Sequence, residues 1–441
     1  MADGRKRSDL RPGLKVQIVL KQDQRSGKLT SGVVQEILTP SANHPHGIKV
    51  RLSDGQVGRV KQILLGLLLL GLGGLSATSA SSAPRQYSDL RQVSFTQLKA
   101  NQTITLDLKP GEQSLLFYAH AQSKTEKLTL LEITGPDDEL LHSYDPEEET
   151  LEGEHLQESI DNTGELSVYL PISPQHALEP GKYTLKVKSG SGQALKDAGA
   201  LLRTGSLKGK QAIDMTFWIL SQNKALQTPL TYQKYVSDVR KQINQIIQPH
   251  GLQMGKINVK VGTHEMIQAY SRLQPSDEDK FDSDICQDLA KRTDGYRQLN
   301  VAILDQIMRT PKEIEDDAAE SVGYALGMPG LLPLPNSRWS CVVIAYDAKD
   351  PHQGGTLWHE SSHMMGVVHT TESDGEGFDP LSDTPECPAA KFDKDKDGLV
   401  DSEECAQIDA SNYMFWEGDG KGMTAQQAWV LKRHPLFYPV P

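Results

Sequence analysis

His359-Glu360-Ser361-Ser362-His363-Met364-Met365-Gly366-Val367-Val368-His369 is the stretch on which the fold reading turns. Residues four apart on an α-helix lie one above the other, so His359 and His363 present two imidazoles on one face with Glu360 beside them. Gly366 follows three residues later. Without a Cβ it can take the left-handed conformation that ends a helix, and a chain turned back there delivers His369 as a third ring. Three neutral imidazoles around one ion leave a fourth position for water, which is the arrangement of catalytic zinc rather than of a closed structural site. Zinc lowers the pKa of bound water to about 7, and Glu360 stands where it can accept the proton as general base. The bland alternative, an amphipathic helix with partly buried histidines, does not require five residues at fixed offsets.

Downstream, Asn412-Tyr413-Met414-Phe415-Trp416 offers a turn whose Met414 can pack beneath the imidazoles. With Thr370 after the third histidine, then Ser382-Asp383-Thr384-Pro385-Glu386-Cys387, the region from about Ala212 onward resembles the pappalysin and cytophagalysin branch of the metzincin zinc peptidases. That resemblance implies a C-terminal α/β metzincin-like zincin domain, placed here at residues 205–441, and extracellular cleavage of protein or peptide substrates. Two positions depart from the family pattern. Ser362 stands where Gly is common, and Trp416 stands where a Tyr follows the Met-turn methionine, so a tyrosine assisting the reaction from that position is absent.

Between His369 and Met414 lies an acidic run, residues 393–404, that fits the twelve-position calcium loop. Asp393, Asp395, Asp397 and Glu404, the Leu399 carbonyl, and Asp401 directly or through water supply oxygen ligands for Ca²⁺, and Gly398 permits the sharp turn. The four cysteines, Cys286, Cys341, Cys387 and Cys405, include no C-x-x-C pair. An even set without metal spacing points to two disulfides and an oxidising compartment. Three connectivities are open, and Cys387 with Cys405 is favoured because that pair brackets the acidic loop, leaving Cys286 with Cys341.

Upstream of the histidine motif, an apolar strand over 213–220 precedes Tyr232, Val236, Val239, Ile243 and Ile246, which share one helical face. Further strands are expected at 257–261, 299–304 and 341–346, a mixed α/β arrangement. Residues 85–190 alternate with period two between Gly, Pro and Asp turns, which predicts a β-sandwich. Its layout, ending in Leu178-Glu179-Pro180-Gly181-Lys182-Tyr183, is similar to the pre-peptidase domains of secreted bacterial proteases; a propeptide is the competing reading. Ser189-Gly190-Ser191-Gly192 marks a linker. No cysteine lies between Pro84 and Cys286, so a thiolate latch from this segment is excluded.

Residues 1–62 read as short strands with an Asp54-Gly55 turn, a small β-barrel. The runs 12–34 and 44–60 resemble the small bacterial YwbE-like family, which brings no activity with it. Residues 63–84, a Leu/Gly run after Arg59 and Lys61 and before small residues, have the parts of a secretory signal; left uncleaved, the run would act as a membrane anchor.

A chain of 441 residues is long enough for about three domains, and 37% hydrophobic content argues against wholesale disorder. Residues 1–62 carry twelve Lys or Arg against five Asp or Glu, so the remainder is more acidic than the whole chain's net charge of -12. An acidic body argues against nucleic acid as the partner of the catalytic part. The function expected from the sequence is therefore a secreted bacterial zinc endopeptidase. The alternative is an extracellular calcium-dependent binding or adhesion protein with an inactive metzincin domain.

Overall fold

Period-two burial builds the first unit, Met1–Ser82. Val16 and Ile18 of β1 (Lys15–Leu20), Val34 of β2 (Leu29–Ile37), Val50 and Leu52 of β3 (Lys49–Leu52) and Val60 of β4 (Val57–Ile63) point into one small core. The strands close as an antiparallel barrel because β4 pairs back onto β1. Gly58 makes that closure possible, since a Cβ there would lie 2.5 Å from the Val19 carbonyl oxygen. The computed structural model describes residues 6–7, 10, 14–20, 29–39, 48–52, 56–63, 87–96, 98–99, 101–145, 150–152, 156–158, 164–275, 284–293, 297–310, 322–327, 329, 340–350, 352–417 and 420–440. The signal-like run lies outside these residues beyond Ile63. Among the described residues, no helix is long and apolar enough to cross a membrane.

The second unit, Ala83–Pro441, begins with two five-stranded sheets. Its strands are β5 (Leu90–Phe95), β6 (Gln102–Leu108), β7 (Ser114–His120), β8 (Leu128–Thr134), β9 (Leu140–Asp145), β10 (Thr150–Glu152), β11 (Gln157–Glu158), β12 (Glu165–Leu170), β13 (Gly181–Ser189) and β14 (Asp197–Arg203). One sheet has the order β10-β9-β8-β13-β6 and the other β11-β12-β7-β14-β5. The second takes in β14, beyond residue 190 where the sequence pattern ends the sandwich. That strand carries Ala198-Gly199-Ala200, weak in β propensity. Gly199 stands there because Tyr118 crosses it: a Cβ would lie 2.3 Å from the phenol oxygen.

A six-stranded sheet follows, ordered β16-β15-β18-β21-β20, from β15 (Gln211–Ile219), β16 (Leu252–Val261), β18 (Leu299–Leu304), β20 (Gly323–Leu326) and β21 (Cys341–Ala345). β22 (Phe437–Pro439) pairs with β15, and a short pair joins β17 (Arg272–Leu273) to β19 (Gln306–Ile307). β16, β15, β18 and β21 run parallel, and β20 lies antiparallel beside β21. Helix α1 (Pro229–Ile247), opened by a Thr228/Thr231 capping box, buries Val236, Val239, Ile243 and Ile246. β18 is buried along its whole length, with Val301 and Ile303 in one core and Ala302 and Leu304 in another. Among the described residues the other α-helices are α2 (His264–Tyr270), α3 (Asp284–Lys291), α4 (Gln353–His363), α5 (Ala389–Phe392) and α6 (Ala425–Arg433). Disulfides join Cys286 to Cys341 and Cys387 to Cys405. The chain is thus multidomain and mostly β, with few helices.

Candidate metal centre

Helix α4 lies close against α1 because Gly354 leaves room: a Cβ there would meet the Gln242 side chain at 2.7 Å, and the Gly354 N–H donates to Gln242 Oε1 at 2.9 Å. Leu357, Trp358, Ser361 and Ser362 face inward, and the two serine hydroxyls donate one turn back to Leu357 O and Trp358 O. The helix ends as its glycine predicts. Gly366 has φ +86°, its N–H donates to His363 O, and Val367 N–H donates to Ser362 O, the paired bonds of a Schellman close.

That bend brings the three rings together. The Nε2 atoms of His359, His363 and His369 lie 3.1 Å from one another. Each Nδ1 faces an oxygen: Tyr413 O at 2.8 Å, Val367 O at 2.9 Å and Glu372 Oε2 at 2.8 Å, in the same order. Those oxygens can only accept, so each Nδ1 carries a proton, and in the neutral tautomer this selects Nε2 is left with the lone pair. Three lone pairs at this spacing repel unless a cation lies between them. Tetrahedral zinc at about 2.05 Å from each nitrogen would set the nitrogens about 3.3 Å apart, so the triangle fits such an ion with little adjustment. Burial, then repulsion among the rings, pushes His359 down to about 4 and His363 well below its ordinary value, which keeps both neutral near pH 7.

Glu360 keeps some access to solvent, yet the protein packed around it pushes its carboxyl up to about 8. Edge strand β20 supplies part of that wall. A Cβ at Gly323 would lie 2.9 Å from Glu360 Cγ, so a larger residue there would displace the carboxylate. Met414 is fully buried in one apolar cluster with Trp358, Met364 and Met365. Its turn is tied to the rings on both sides, through Tyr413 O to His359 and through Met414 O, which accepts from Thr370 N–H at 3.0 Å.

Of the acidic-loop residues, Asp393, Asp395 and Asp397 bring carboxylate oxygens within 4.8 Å of one another. Gly398 has φ +87° as its place in the turn requires. Asp401 Oδ1 accepts from Glu403 and Glu404 N–H, Glu404 Oε1 accepts from Lys394 N–H, and the Leu399 N–H donates to Asp397. Val400 anchors the loop, its N–H on Ser373 O and its carbonyl under Trp416 Nε1 at 2.6 Å. Trp416, the departure from the family pattern, thus braces this loop. Cys387 and Cys405 also approach Asp409, but as a disulfide they offer no thiolate.

Three residues of the site were not read from the sequence. Glu372 bonds His369, Gly323 walls Glu360, and buried Asp409 accepts from Thr370 and Thr371 at 2.8 and 2.7 Å. Only Glu372 left a signal, a carboxylate three residues past the third histidine.

Residues 3–63 match the family described as "Uncharacterized conserved protein (DUF2196)". Over 62 residues the chain is 58% identical to the uncharacterized protein YwbE of Bacillus subtilis (strain 168), a match covering 14% of this chain and 95% of that protein. Among solved structures, metalloproteinase-II from Bacteroides fragilis is similar at 12% identity and a TM-score of 0.22, over 40% of this chain and 54% of that one. This chain therefore spans about half the length of that structure. The tripod (BppUct-A-L) from the baseplate of bacteriophage Tuc2009 is similar at 13% identity and a TM-score of 0.15, over 33% of this chain and 83% of that one. Likenesses of that size bear on neither fold nor function.

Proposed function

We propose that this chain, which belongs through residues 3–63 to the YwbE-like DUF2196 family, carries in its C-terminal part a zinc-dependent endopeptidase of the metzincin type. The observation that supports it is the triangle of imidazole lone pairs, each ring fixed from behind by an oxygen acceptor. His359, His363 and His369 would hold the ion. A zinc ion supplies Lewis acidity toward a peptide carbonyl and acidifies a water.

Glu360 does the proton work. Burial raises the Glu360 carboxyl to about 8, so that near neutral pH it can hold the proton it takes from the attacking water until it passes it to the leaving amine. Gly323 keeps β20 close to that carboxylate, and β20, the end strand of its sheet among the described residues, offers an edge on which an extended peptide can add as a further strand. Met414 and Tyr413 hold the floor beneath the rings. The acidic loop is assigned Ca²⁺ on its oxygen ligands, with Asp393, Asp395 and Asp397 at its centre. The two disulfides support an extracellular location.

The test is zinc quantification and hydrolysis of casein and a fluorogenic peptide by the purified chain beside Glu360→Ala. The variant is expected to hold one zinc and to lose cleavage by roughly 10²–10⁴-fold. Full zinc without cleavage in the parent chain would favour the binding-protein alternative.

A further inference from the structure

The sandwich and the metal-binding part share an apolar core. In β7, Leu115, Phe117 and Ala119 point into the sandwich, while Leu116 and Tyr118 on the opposite face join the cluster that contains Met364, Met365 and Met414. β12 divides in the same way, with Leu166, Val168 and Leu170 on one side and Tyr169 on the other. A sheet buried on both faces is a middle layer, not a detachable outer one.

Tyr169 makes its contact at the bend itself. Fully buried, it lies across Gly366, where a Cβ would come 2.5 Å from its Cδ1 and 2.6 Å from its Cε1. Its hydroxyl donates to Val430 O at 3.2 Å, and its ring stands 4.9 Å from that of His434. The glycine that lets the chain turn toward His369 thus also leaves a space that a neighbouring domain's aromatic ring fills. Asp89 strengthens the joint, accepting from Arg203 Nη1 at 2.5 Å and from Arg297 Nη1 at 2.6 Å. Arg297, 4% exposed at its side chain, also donates to Pro435 O at 2.8 Å. Removing the sandwich would strip that buried guanidinium of its carboxylate, the kind of loss that strongly destabilises a fold.

We propose that the β-sandwich is a resident partner of the metal-binding part, retained in the working protein rather than shed, and that Tyr169 is a positioning residue that fixes the Gly366 bend and so the place of His369. The metal arm of this proposal rests on the zinc-peptidase reading; the association arm does not.

The experiment uses the full chain with a site-specific protease sequence placed at 205–209, in the mostly exposed connection from β14 to β15; the 189–192 run does not provide that connection, because β14 still belongs to the sandwich. After cutting, the two fragments are expected to co-elute in size-exclusion chromatography, with zinc content and kcat/KM within about twofold of the uncut chain. In the uncut chain, Tyr169→Ala is expected to weaken zinc binding roughly tenfold or more and to change the visible spectrum of the cobalt(II)-loaded protein. Tyr169→Phe should leave both within about twofold, since the ring is kept and what is lost is the hydroxyl with its bond to Val430 O. If Tyr169→Ala does not fold, Tyr169→Leu, which keeps apolar volume without the ring, takes its place. Fragments that separate while the C-terminal one keeps full zinc affinity would overturn the resident role. A folded Tyr169→Ala protein with unaltered zinc affinity and cobalt spectrum would overturn the positioning role. Co-eluting fragments without zinc would sink the peptidase reading and support the association.

Discussion

His359 on α4 and His120 in the sandwich are both buried imidazoles, 7% and 4% exposed, and their surroundings leave the first neutral and the second positive near pH 7. Burial alone pushes both toward the neutral form. At His120 the ion pairs with Asp197 at 2.5 Å and Glu165 at 3.6 Å outweigh it and lift the ring to about 9. At His359 the facing groups are a backbone carbonyl and two other imidazoles, and the ring falls to about 4. A histidine between two carboxylates is a structural cation. One backed by a carbonyl and facing other rings is held neutral.

The sharpest way to break this comparison is to remove a ring from each region. His363→Ala should abolish stoichiometric zinc binding and lower peptide hydrolysis on the order of a thousandfold or more, whereas His120→Gln should leave zinc content unchanged. Metal analysis and a fluorogenic peptide read both, and zinc loss in His120→Gln would end the distinction.

Titration gives the next largest effect. A folded-state pKa of about 9, above the unfolded value near 6.5, means that the His120 contribution is fully present below pH 6.5 and is lost as pH rises through 9. Urea unfolding should therefore show about 3 kcal/mol less stability above that range than below it from this group alone. His120→Gln should flatten that part of the pH profile, and a profile unchanged by the substitution would contradict the assignment.

Within the candidate metal region, Glu372 backs its ring with a side-chain carboxylate, where His359 and His363 are backed by main-chain carbonyls. Glu372→Gln is expected to weaken zinc by roughly 10–100-fold, with Glu372→Asp between it and the parent, in a chelator competition. The smallest effect belongs to the acidic loop. Calcium should raise the Tm of the parent chain by about 2–4 °C, and Asp395→Ala should remove that rise while zinc content stays constant. A calcium response that survives the substitution would place the ion elsewhere.

The contrast also explains what could be read from the sequence. His359, Glu360, His363, Gly366 and His369 lie within eleven residues, so helical spacing and one glycine bring them together without help from the rest of the fold. The cysteine pairing was legible for the same reason, because Cys387 and Cys405 close a short loop. His120 meets Glu165 and Asp197 only because β7 pairs with both β12 and β14 in one register. Nothing local announces such a triad. Gly323 likewise gains meaning only when a distant edge strand reaches Glu360, and β14 hid behind its small residues until Tyr118 was seen to lie across Gly199. Alternation reads three of the four barrel strands, β1 to β3, and five of the ten sandwich strands, β6, β7, β8, β12 and β13, but not which sheet faces would both be covered.

Anomalous diffraction at the zinc edge, from crystals of the purified full chain, addresses the central claim most directly. The account predicts one strong peak about 2.0–2.1 Å from the Nε2 atoms of His359, His363 and His369, with the Glu360 carboxylate facing the remaining coordination position. Zinc-supplemented crystals with no peak there, or with the three rings turned away from one another, would contradict it.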